Sequence, residues 1–179
     1  FTDMPAAGNW AHAGIDFALK QGLFNGMSAT TFEPDGSMTR AMLVTVLWRL
    51  DGSRAPAGRN TFTDVPGGQW YTDAVTWAAE NGVVNGVGGG LFDPDAALTR
   101  EQAATMLARL AGVMQKPLTA GSAGFADKGS VADWAIEAVG EVEASGIMNG
   151  VGDNLFAPAD PYTREQSILT MLRLYDFVK

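Results

Sequence analysis

The sequence has no cysteine and one histidine, and its 12 basic residues are outnumbered by 20 acidic ones. Without cysteine there is no disulfide and no thiolate metal site. The lone His12 has no evident partners for a catalytic triad or a zinc site and reads as a surface helix residue. Asp93-x-Asp95 hints at calcium but lacks the ligand density of an EF-hand loop, so neither a metal nor a cofactor is expected. The formal net charge of −8 disfavours nucleic acid, whose phosphates need a basic surface. It equally disfavours an anionic membrane surface. No apolar run is long enough for a membrane-spanning helix, so membrane insertion is not expected. No signal peptide is visible and the chain opens directly on a repeated motif, which points to a piece of a longer protein with further domains.

What is present is a repeat. Unit one reads Phe1-Thr-Asp3, Trp10, Asn25-Gly26, Phe32-Glu-Pro34, Thr39-Arg40. Unit two reads Phe62-Thr-Asp64, Trp70, Asn85-Gly86, Phe92-Asp-Pro94, Thr99-Arg100. Unit three reads Phe125-Ala-Asp127, Trp134, Asn149-Gly150, Phe156-Ala-Pro158, Thr163-Arg164. The interval from Trp to Arg is 30 residues each time, with no insertion or deletion. Small-residue linkers at Gly52–Asn60 and Gln115–Gly124 separate the copies, giving units at 1–54, 55–118 and 119–179.

Each unit carries two helical patterns, so the fold class is all-α. The first opens near Trp10, Trp70 and Trp134 and puts Ile15, Val75 and Val139 on an apolar face. It closes at Gly22, Gly82 and Gly146, where glycine takes the left-handed conformation of a helix C-terminus. Asn-Gly marks a turn, and Phe32, Phe92 and Phe156 are expected to pin the following loop to the core. The second helix opens on Thr39, Thr99 and Thr163, whose hydroxyls cap orphan amides. Gln102 and Gln166 complete capping boxes in units two and three; Met42 breaks the box in unit one. A helix pair cannot bury its apolar face alone, so the three units are expected to pack into one body.

Phe-x-Asp, the following Trp, Asn-Gly, Phe-x-Pro and Thr-Arg-Glu/Ala, in three tandem copies, resemble the S-layer homology domain over nearly the whole chain. The resemblance implies a pseudo-threefold fold, with a central three-helix bundle and three prongs. It implies an extracellular place on the bacterial cell surface. It implies non-covalent anchoring of a surface protein through a secondary cell-wall polysaccharide linked to peptidoglycan. The usual sugar terminus is a pyruvylated amino sugar, held in grooves between prongs. The alternative is a helical-repeat module that binds another protein.

A pyruvate ketal places a carboxylate on a neutral sugar, so a groove needs an anion receptor and a platform for the ring. Arg40, Arg100 and Arg164 sit at helix starts, where free amides and the macrodipole favour an anion and the guanidinium forks onto carboxylate. The competing role is a salt bridge to Asp3, Asp64 or Asp127 of the same or a neighbouring unit. Those aspartates either help form the site or cap a helix or turn. Trp10, Trp70 and Trp134 either stack on a sugar or pack into the core. Trp48 and Trp77 occur once each and read as core or interface fillers. Asn25, Asn85 and Asn149 either let backbone approach a ligand or make a plain turn. Arg49, Arg109 and Arg173 recur nine residues after the cap arginines, too far along the helix to share their site, and read as a solvated or inter-unit salt-bridging face. Unit two matches the pattern best, which makes Arg100 the foremost candidate. No catalytic residue is assigned: a glycosidase needs two apposed carboxylates, and the recurring acids here come in threes.

Overall fold

The computed structural model describes residues 1–179. It contains six α-helices and no strand. They are α1 (Trp10–Lys20), α2 (Arg40–Leu50), α3 (Thr72–Glu80), α4 (Arg100–Val113), α5 (Ile136–Ala144) and α6 (Arg164–Val178). A 3-10 turn at Asp133–Ala135 leads into α5.

The helix ends follow from the expected residues. Thr39, Thr99 and Thr163 have extended backbones, and their side chains accept from the amides of Met42, Gln102 and Gln166. The full capping box forms only in unit two, where Gln102 accepts from the Thr99 amide at 3.1 Å. In unit three Gln166 turns instead to an arginine of unit two, so the expected second box is absent. The first helices end in the Schellman pattern. Leu23, Val83 and Ile147 donate to Ala18, Ala78 and Val142, across glycines with φ of 68°, 71° and 68°. Such a bond satisfies a carbonyl that would otherwise be orphaned at the helix end.

Packing runs between units rather than within them. The first helix of each unit lies on the second helix of the unit before it. Thus α3 packs on α2, α5 on α4, and α1 returns to α6. The helices α2 and α6 both touch α4. One continuous core joins Ile15, Leu47, Val75, Leu107, Val139 and Leu174. Trp77 is inside it and Trp48 is packed against it, as their single occurrence suggested.

The residues just before the caps close the circle. The Met38 amide donates to the Tyr162 carbonyl at 2.8 Å, Tyr162 to Leu98 at 2.9 Å, and Leu98 to Met38 at 2.8 Å. All three side chains are fully buried. Each hydrogen bond therefore links two units through dry backbone, where an unmade bond is costly.

Candidate functional site

The loop between the two helices of a unit is fixed by its own aspartate. Asp64 accepts from the amides of Phe92 at 2.8 Å and Asp93 at 2.7 Å. Asp127 does the same for Phe156 and Ala157, and Asp3 for Phe32 and Glu33. The second residue of each pair has a left-handed backbone, with φ of 58° at Glu33, 59° at Asp93 and 55° at Ala157. Such a conformation is unfavourable for a residue with a side chain. The carboxylate holds it by binding both amides. The loop phenylalanines are fully buried, as expected. The amides of Phe32 and Glu33 hold the Asp3 carboxyl below its ordinary value. At Asp64 and Asp127 burial pushes upward, and the paired amide bonds outweigh it.

The cap arginine of one unit then grips the loop of the next. Arg40 donates through Nε to the Phe92 carbonyl at 2.7 Å and through Nη2 to the Asn85 carbonyl at 3.0 Å. Arg100 does so to Phe156 and Asn149, and Arg164 to Phe32 and Asn25. Each guanidinium also lies over the ring of the phenylalanine it bonds, 4.4–4.9 Å from the centroid. Burial pushes all three pKa values down from the ordinary arginine value. An arginine stays charged through such a shift.

Two expectations change here. The first-turn amides are not free to receive an anion. Arg40 and Ala41 donate to the carbonyls of Ala96 and Pro94, and the same bonds recur from Arg100, Glu101, Arg164 and Glu165. With Thr39 taking the Met42 amide, the helix start is already satisfied. Nor do the arginines form salt bridges to the aspartates. The one arginine–carboxylate ion pair in the molecule is Arg54–Asp51. Asp64 and Arg40 act on the same loop, one on its amides and the other on its carbonyls.

Beside each grip lies a groove, and each groove draws on all three units. One joins Asn25 and Arg49 of unit one, Trp70 of unit two and Arg164 of unit three. The next joins Asn85 and Arg109 of unit two, Trp134 of unit three and Arg40 of unit one. The last joins Asn149 and Arg173 of unit three, Trp10 of unit one and Arg100 of unit two. Their volumes are about 310, 410 and 350 Å³. These are at the small end of the range for ligand pockets.

Arg49, Arg109 and Arg173 therefore correct the sequence reading. They do not share a site with the cap arginine of their own helix, which is what helix geometry forbids. They share one with the cap arginine of the preceding unit, which only the folded circle brings close. Arg49 is steadied by the Leu23 carbonyl at 2.9 Å and Arg173 by the Ile147 carbonyl at 3.4 Å. The three tryptophans are not core residues: Trp10, Trp70 and Trp134 are 57–59% exposed and present their indoles at the groove edges. The aspartates 3, 64 and 127 do not line the grooves; they stand behind them, holding the loops.

The Asn-Gly turn forms one wall of each groove, and its glycine is sterically required. A Cβ on Gly86 would lie 2.6 Å from the Leu91 carbonyl oxygen and 2.8 Å from the Phe62 ring. Each groove carries two arginines and no carboxylate, in a chain of net charge −8. Two further hollows, along the linker after α2, both include Glu80.

Comparison with known proteins agrees with this architecture. The family model of the S-layer homology domain matches residues 1–41, 61–104 and 124–166. The chain belongs to the S-layer homology family. It is similar to an exoglucanase of Acetivibrio thermocellus, 30% identical over 89% of this chain and 15% of the relative. It is also similar to an endoglucanase of a Bacillus species, 32% identical over 89% of this chain and 17% of the relative. An S-layer protein of Bacillus anthracis is 33% identical over 78% of this chain and 16% of the relative. The chain thus spans less than a fifth of each of these proteins. S-layer homology domains are binding modules, shared here between enzymes and structural surface proteins, and they place the chain at the cell surface, extracellular and associated with the wall.

Proposed function

We propose that this S-layer homology module anchors its parent protein non-covalently to the bacterial wall. It does so by holding an anionic secondary cell-wall polysaccharide, linked to peptidoglycan, in its inter-unit grooves. The ligand is a pyruvylated amino-sugar terminus. Its carboxylate meets the two arginines, and its ring lies against the indole. Supporting this reading is one observation, made three times over: two arginines without a carboxylate beside an exposed tryptophan. A charge-assisted hydrogen bond to a carboxylate contributes about 1.5–3 kcal/mol. An exposed indole offers flat apolar area with little entropy to lose.

In this reading the units 1–54, 55–118 and 119–179 form one pseudo-threefold domain. The helices α2, α4 and α6 form its central bundle, and the first helices with their loops form three prongs. The parent protein carries further domains outside this chain.

Purified sacculi test the reading. The chain is expected to co-sediment with intact sacculi and to lose most of that binding once the attached polysaccharide is stripped. Equal binding to both preparations, or none to either, would sink the anchor and favour a protein partner.

A further inference from the structure

The three grooves are built alike but are not equally open. The difference lies at the third residue of each second helix. Arg40 and Arg164 use Nε and Nη2 on the loop carbonyls, and Nη1 makes no bond to the protein. Arg100 uses the same two atoms on Phe156 and Asn149 but also donates through Nη1 to Gln166 Oε1 at 2.9 Å. Gln166 itself lines that groove. In the Arg40 groove the equivalent Gln102 has its oxygen committed to the Thr99 amide, as part of the capping box. In the Arg164 groove the equivalent residue is Met42, which has no oxygen to offer.

We infer that Gln166 acts as a built-in competitor for the carboxylate in the Arg100 groove, so that the Arg164 and Arg40 grooves bind an anionic sugar first and the Arg100 groove last. The inference rests on the ligand class proposed above. Its physical basis is local. A guanidinium that has spent one edge on carbonyls has its remaining edge, Nη1 with the outer Nη2 hydrogen, for a forked carboxylate. In the Arg100 groove an amide oxygen already takes one of the two Nη1 hydrogens. An incoming carboxylate must displace it or share that amino group with it. Forgoing about one charge-assisted bond weakens binding roughly tenfold. The choice is coupled to helix capping. Gln102 caps its own helix and so leaves Arg40 open, whereas Gln166 leaves its helix uncapped by its side chain and closes Arg100. This reverses the ranking from motif matching, in which Arg100 stood first.

Each groove contains one exposed tryptophan, so the indole N–H resonances of Trp70, Trp134 and Trp10 report the three grooves separately. The probe is a pyruvate-ketal amino-sugar monosaccharide, titrated into the 15N-labelled chain. Trp70 and Trp134 are expected to shift at roughly tenfold lower concentration than Trp10. Gln166→Met, which copies the residue found in unit one, is expected to bring Trp10 into line with the other two. Three resonances that titrate together in the wild-type chain, or a Trp10 response unmoved by Gln166→Met, overturn the competitor. The anchoring ligand survives either result. If none of the three resonances moves, the ligand class itself is wrong and the inference falls with it.

Discussion

Arg100→Ala is expected to lower the stability of the chain by about 3 kcal/mol, a fall of roughly 6–12 °C in melting temperature. Arg100 is 4% exposed and its guanidinium donates to two carbonyls of the next unit. Removing it leaves those oxygens without partners in a partly dry joint, and it strips the charge lying over the Phe156 ring. Arg100→Lys is expected to recover little, because an ammonium cannot fork onto two carbonyls set by a planar guanidinium. Thermal unfolding followed by circular dichroism measures this. A fall of less than about 2 °C would mean that the joint between units does not depend on the arginine. The same reasoning makes Arg40/Arg100/Arg164→Ala a poor functional probe. Loss of wall binding in that variant would report an opened circle as readily as a lost receptor.

The second set of arginines separates the two. Arg49/Arg109/Arg173→Gln is expected to keep the melting temperature within about 3 °C of the parent and to weaken sacculus binding by roughly a hundredfold or more. These side chains line the grooves, are less buried than the cap arginines, and make at most one bond each to a backbone carbonyl. With them go three of the six positive charges that the grooves hold. Unchanged sacculus affinity in a folded variant would remove the two-arginine receptor from the account.

Much of the fold was legible in the sequence because its signals are local. A threonine before a helix, a glycine after one and a phenylalanine at a fixed place each answer to a neighbour a few residues away. Those expectations hold at Thr39, Gly82 and Phe156 alike. What was not legible is what depends on closure. Helix geometry correctly keeps Arg49 away from Arg40, and nothing along the chain says that Arg49 meets Arg164 instead. The recurrence of Arg49, Arg109 and Arg173 was itself the available signal. Tested against cap arginines of other units, it would have found the pairs. The same applies to the helix starts. Their amides look free within one unit and are filled by the carbonyls of another. Gln166 shows a finer limit: its sequence fits a capping box as well as that of Gln102 does, and only the proximity of Arg100 sends its side chain elsewhere. The cap arginines, awkward as cations at helix starts, recur because they hold the circle of units together. Any ligand then meets the edge that this duty leaves over.

The anchoring proposal has grooves assembled from three units receive the carboxylate of an anionic wall sugar. A crystal structure of the chain with the pyruvylated terminal sugar of the wall polysaccharide tests this. The carboxylate is expected between Arg164 and Arg49, or between Arg40 and Arg109, with the ring against Trp70 or Trp134 respectively. A sugar bound elsewhere on the surface, or one whose carboxylate points to solvent away from both arginines, would contradict it.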